Sequence, residues 1–239
     1  EDIPFRTKRG RGGEGWTGRY AAYAEAIFQT EPGVWIRAQL WTPRGAEGPR
    51  PLVIHVKRPG DSIYFMDVDE LLPLLGRVNV LVLNTRFTEH PVPAALRAEI
   101  ERSASWSGWT LASMQVWDVL RAIRWAREEG VPGAAPLLLY GRDGMGLVAL
   151  YAAILDGRVD EVILRDPPSS HRTGPALLEI LRVTDAPEAA ALLAPGRLTF
   201  LGDTPPAYDL TRTILGKAGH GERHRHAGSL PETLEVWRY

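Results

Sequence analysis

Five short apolar runs, separated by helical stretches, most constrain how this chain can fold. They are PLVIHV (51–56), VNVLVLN (78–84), PLLLYG (136–141), EVILRD (161–166) and RLTFLGD (197–203). A strand with one wet face alternates apolar and polar residues, whereas an unbroken apolar run suits a strand covered on both faces. Between these runs, LASMQVWDVLRAIRWAREEG (111–130) places Val116, Leu120, Ile123 and Ala126 along one stripe, with Gly130 as a stop. MGLVALYAAILDG (145–157) is apolar almost throughout and predicts a buried helix. Buried strands alternating with helices imply βαβ units, hence an α/β domain with a mostly parallel, doubly wound sheet and helices on both faces.

The remaining elements fit that plan. YAAYAEAIFQTEPGVWIRAQLWTPRG (20–45) reads as an antiparallel hairpin at one edge, alternating through Val34, Ile36, Ala38 and Leu40 and turning at Glu31-Pro32-Gly33. FMDVDELLPLLG (65–76) predicts a helix weakened by Pro73, and EAAALLAPG (188–196) another. A helix over Tyr208–Ala218, a strand near Arg223–His226 and a helix from Ser229 close the chain. No linker-like shift follows residue 20, so residues 21–239 read as a single domain and 1–20 as a tail or linker. That tail holds RTKRGRGG (6–13), a basic run that reads as solvated rather than as a nucleic-acid arm, since the formal net charge is -1. No cysteine is present, which removes disulfides and thiolate chemistry, and no apolar stretch approaches a membrane span. The chain opens on Glu1 without Met or an apolar leader, so it reads as processed or excised from a longer protein; a signal peptide would precede it, and the compartment stays open.

In doubly wound sheets the site lies beyond the C-terminal ends of the strands. The informative position there is YGRDGMG (140–146). It resembles a nucleophile elbow, G-x-S-x-G, in which small residues flank a nucleophile raised on a tight strand-to-helix turn. Gly141 supplies the first small residue, Asp143 stands at the nucleophile's place, Met145 occupies the second small position and Gly146 follows. Asp143 has two readings. It can attack as a carboxylate nucleophile, as in haloalkane dehalogenases and epoxide hydrolases, or it can cap the helix that follows. Met145 favours the cap.

The strand succession, this elbow segment and the preceding LASMQVWDVLRAIRWA together resemble bacterial α/β-hydrolases of the acetyl-xylan-esterase-like group. The resemblance covers the chain from about residue 30 onward and is most specific over 111–164. It implies the α/β-hydrolase fold, no cofactor, a carbohydrate or ester small molecule as ligand, and a preceding catalytic hydrolase domain as partner, because similar tandem proteins pair an intact domain with a degenerate one. It further implies an acid after the penultimate strand and a histidine after the last, which match Asp203 and His226. Asp203 equally suits a DTPP turn, and His226 an exposed HGERHRHAG stretch whose histidines are too poorly spaced for a metal site. Lys57 and Arg58 occupy the oxyanion-loop position and give the mouth positive charge; Arg142 and Gly144 flank Asp143. Ser169, Ser170 and His171 form a loop lining the cleft, and Trp106 and Trp109, read as a loop, offer faces for a sugar ring. Two functions remain: a degenerate domain with a structural or substrate-binding role, or an ester hydrolase using Asp143, His226 and Asp203.

Overall fold

The N-terminal hairpin forms because alternate residues on its two strands are apolar and Gly33, at φ 82°, accepts the left-handed turn between them. Ala26, Phe28, Ile36, Ala38 and Leu40 all lie in the core. In the computed structural model, residues 7–9, 21–45, 48–61, 68–89, 92–131 and 133–237 are described. Nine strands among them make one sheet: β1 (Thr7–Arg9), β2 (Ala21–Glu31), β3 (Val34–Pro43), β4 (Leu52–Val56), β5 (Asn79–Asn84), β6 (Leu137–Arg142), β7 (Glu161–Arg165), β8 (Arg197–Leu201) and β9 (His224–Ala227). Their order is β1-β2-β3-β5-β4-β6-β7-β8-β9. The β1–β2, β2–β3 and β3–β5 pairings are antiparallel, and every pairing from β5 through β9 is parallel.

Among the described residues, seven α-helices accompany the sheet: α1 (Val68–Leu71), α2 (Ala94–Trp106), α3 (Leu111–Trp125), α4 (Asp143–Asp156), α5 (Ala186–Ala191), α6 (Asp209–Lys217) and α7 (Leu230–Leu234). The apolar runs are unbroken for the reason expected of them. On β4, Leu52, Ile54 and Val56 pack into the layer that holds α3, α4 and α5, while Val53 points into the layer of α1 and α7. Thr110 and Ser113 exchange reciprocal cap bonds at the start of α3, and Gly157 at φ 68° ends α4. Trp125 stacks on Phe28 with ring centroids 5.4 Å apart, fastening α3 to the hairpin. No described helix is long and apolar enough to cross a membrane.

Three departures from the sequence reading stand out. Thr7–Arg9, inside the segment read as a tail, pairs with Ala26–Phe28 as an edge strand; the other residues of 1–20 lie outside the described ones. The helix expected over 65–76 is one α-turn followed by a tighter turn over Leu72–Leu74, where Pro73 cannot donate; residues 65–67 lie outside the described ones. Helix α2 was not anticipated at all. Trp106 is its last residue rather than part of a loop.

Two buried charged groups hold the frame. Asp118 of α3 is fully buried and receives Arg86 Nη2 at 2.6 Å, Arg86 Nε at 3.0 Å and the Arg86 backbone N–H at 2.8 Å; Glu31 takes Arg86 Nη2 at 2.6 Å. Removing one partner would strand a charge in the interior. Asp118→Ala is therefore expected to lower unfolding free energy by about 3–5 kcal/mol in urea denaturation. At the opposite end of the sheet, Glu161 is fully buried and accepts from Thr199 Oγ1 at 2.5 Å and Trp237 Nε1 at 2.6 Å. Burial raises its carboxyl above the usual range, against the donated hydrogen bonds and the Arg197 and Arg225 cations. Its contribution to stability is present below the unfolded-state carboxyl pKa and is lost as pH rises through the raised folded value. Relative to Glu161→Gln, the wild type should thus lose stability as pH rises above the ordinary carboxylate range of about 4, as thermal melts at increasing pH would measure.

Candidate functional site

Strand β6 passes into α4 without a loop, and the turn between them keeps the elbow's backbone. Asp143 lies at φ 48°, the left-handed region that a side-chain-bearing residue seldom occupies. A Cβ on Gly141 would come within 2.6 Å of the Met145 carbonyl oxygen and 2.8 Å of Gly146 Cα; one on Gly146 would lie 3.1 Å from the Gly141 oxygen. The close backbone approach therefore falls on 141 and 146. Met145, which the sequence pattern put at the second small position, packs its side chain into the core, 5% exposed, and leaves the turn intact.

The elbow opens into a cleft of about 1050 Å³. Its walls include Arg58 and Asp61 from the loop after β4, Asp143 and Gly144 from the elbow, Asp166 after β7, and Arg97 and Glu101 from α2. Asp143 is not a helix cap: it is the first residue of α4, Arg142 precedes it, and no side chain caps the turn. Its carboxylate instead accepts from Arg58 Nη1 at 2.8 Å. Arg58 Nη2 reaches Asp61 Oδ1 at 3.0 Å, so one guanidinium bridges two carboxylates. The hydrogen bonds to Asp143 and then Asp61 raise the Arg58 pKa and keep it charged. Burial works to raise Asp61, but the Arg58 contacts outweigh it and hold that carboxyl below its usual range.

The proposed acid and base lie elsewhere. Asp203 follows β8 and is exposed. His226 sits within β9, exposed, with its Nδ1 3.2 Å from Thr204 Oγ1 and its ring over Phe200 at 5.8 Å. Its neighbour His224 is 5.2 Å away, ring to ring, with its pKa lowered by burial and then by His226. Among the described residues, no histidine lines the cleft.

The loop after β7 is built for rigidity. Ser170 Oγ donates to Asp185 Oδ2 at 2.6 Å, and Asp185 also accepts the backbone N–H of His171 at 2.8 Å while capping α5. His171 is buried between the Pro175 carbonyl, 2.8 Å from Nδ1, and the Tyr151 hydroxyl, 2.7 Å from Nε2. A carbonyl only accepts, so Nδ1 carries a proton, and in the neutral ring Nε2 accepts from Tyr151. Burial pushes the Tyr151 hydroxyl up to about 12, which keeps that proton in place. Ser169 is exposed and, like Ser170 and His171, is not part of the cleft wall; Pro168 of this loop is.

Other expectations shift with the tertiary packing. Lys57 does not charge the mouth: it is 2% exposed, and burial lowers its pKa. Arg142 turns away from Asp143 toward Glu70, 3.7 Å from its carboxylate. Trp106, 91% exposed, and Trp109 stand outside the cleft walls. Sequence reading missed Arg97, Glu101 and Gln115 of the cleft, the first two because α2 was unforeseen. Its signal was there, in the run of good helix formers AALRAEIERSA after Pro93. Because the turn depends on bare glycine at 141, Gly141→Ala should destabilise the fold by about 1–3 kcal/mol in chemical denaturation, with Gly144→Ala as the milder control.

No family model matches the sequence, and no curated protein does. Solved structures do. An inferred acetyl xylan esterase of Bacteroides fragilis superposes with a TM-score of 0.73 over 95% of this chain and 72% of its own, at 12% identity. The acetyl xylan esterase of Paenibacillus sp. R4 gives a TM-score of 0.66 over 98% of this chain and 87% of its own, at 16% identity. A glucuronoyl esterase of Solibacter usitatus gives 0.64 over 93% and 74%, at 12% identity. Identities this low establish the fold and leave the activity to the site. Sheet order, elbow and these likenesses together identify the chain as an α/β-hydrolase-fold protein.

Proposed function

We propose that this is a hydrolase-fold domain that binds a small molecule in its elbow cleft without hydrolysing it. The observation that carries the reading is the ion pair at the elbow: Asp143, at the nucleophile's place, is held by Arg58 at 2.8 Å. A carboxylate that attacks the carbonyl carbon of an ester must offer an unshared electron pair, expelling the alcohol and leaving a mixed anhydride that water, activated at a neighbouring base, must then hydrolyse. A guanidinium on that carboxylate stabilises the state that should react. The base that best matched the sequence pattern, His226, has its Nδ1 3.2 Å from Thr204 Oγ1 and is not among the residues lining the cleft.

The cleft remains suited to a ligand. Asp143, Asp166 and Glu101 offer acceptors to hydroxyl groups, and Pro168 and Leu178 add apolar surface. The occupant in this reading is a carbohydrate or ester small molecule, the class suggested by the names of the structural neighbours. The competing reading, an ester hydrolase working through Asp143, draws support from the left-handed backbone that presents this residue to the cleft. Turnover of 4-nitrophenyl acetate separates the two. We expect a rate no higher than that of Asp143→Asn or of buffer alone. A rate well above buffer that Asp143→Asn abolishes would establish the hydrolase and end the binding-only reading.

A further inference from the structure

The main cleft has a side branch. A second cavity of about 200 Å³ lies against it, and Pro59, Gly60, Arg97, Leu111 and Gln115 face both spaces. Its own walls add Phe87, Val92 and Ile100, so the branch is apolar except where it joins the cleft. The scale is informative: a dry apolar cavity of about 150 Å³ takes up one benzene molecule. This branch has room for a single six-membered ring and little more.

The wall points to the kind of ring. Phe87 lies at φ 63°, a backbone strained for a bulky aromatic residue, and its side chain stays 39% exposed. A strained backbone that leaves an aromatic side chain half-open on a cavity wall fits a stacking surface. Aromatic rings gain from such a wall beyond the area they bury, whereas saturated rings do not. At the junction, Gln115 faces both spaces and donates its side-chain N–H to the Arg86 carbonyl at 3.1 Å, and its amide oxygen can only accept. Arg97 stands beside it, paired with Glu101 at 3.0 Å.

We propose that the branch is a subsite for a monocyclic aromatic group, joined through an oxygen-bearing substituent at Gln115 to a polar body in the main cleft. Aryl alcohols, alone or carried on larger polar molecules with the hydroxyl left free to donate, are the matching class. The proposal rests on reading the cleft as a binding site and deepens it.

Benzyl alcohol and cyclohexylmethanol are a suitable pair of probes, alike in size and hydroxyl placement and different in aromaticity. Saturation-transfer NMR titration of the intact chain should show benzyl alcohol binding at least about threefold more tightly than its saturated counterpart. Ile100→Trp, which fills the branch, and Phe87→Gly, which removes the wall and relieves its backbone, should each weaken benzyl alcohol several-fold. Absence of binding, equal affinity for the two alcohols, or unchanged affinity in both variants would each overturn the subsite. Ester turnover is read in a separate assay, so an active chain would refute the binding-only reading and leave this result to stand by itself.

Discussion

Backbone meets backbone at the turn between β6 and α4, and the arrangement of the domain follows from that contact. Gly141 and Gly146 approach so closely that a single added carbon would collide with the Met145 carbonyl. The contact lets α4 start on the residue after β6 and lie directly across the middle of the sheet, where Leu147, Val148 and Leu150 close one layer of the core. It also forces Asp143 into a left-handed backbone and thrusts its side chain out beyond the strand ends. Packing and site geometry are thus one constraint seen from two sides.

What the turn presents is a charge, and the surroundings decide what that charge does. Arg58 sits between Asp143 and Asp61 as a clamp. Exposed pairs of this kind contribute little to stability, on the order of 0–1 kcal/mol. Their local effect is what the proposed binding-only function rests on, because a cation paired with a carboxylate stabilises its charge. The loop after β7 shows the same tendency toward fixed structure: Ser170 and His171, read from the sequence as a loop lining the cleft, are bonded to Asp185 and enclosed by Pro175 and Tyr151 respectively. Asp143, Ser170 and His171 thus each have fixed partners, and of the three only Asp143 lines the cleft.

The fold was legible because two-sided burial leaves a strong mark. Every apolar run named from the sequence is a strand, and the hairpin, α3, α4 and the short closing elements fall within a few residues of their expected limits. Helix α2 escaped because Ala104 is the sole buried residue among those that line it, so it carries no apolar stripe to read. Met145 misled in the opposite direction. Spacing alone placed it at the tight position, but the turn puts the tight contact one residue later and sends the thioether inward.

Sequence by itself determined the layered α/β architecture, the location of the site beyond β6, and the presence of a carboxylate where a nucleophile would stand. These are local properties: periodicity, turn residues and residue identity suffice to specify them. Tertiary structure alone decided that Arg58, 85 positions away, would hold that carboxylate, that Lys57 would be buried while its neighbour stayed in the cleft, and that His226 would bond Thr204. Such outcomes depend on which side chains converge once the strands are aligned, and convergence between distant segments leaves no periodic trace along the chain.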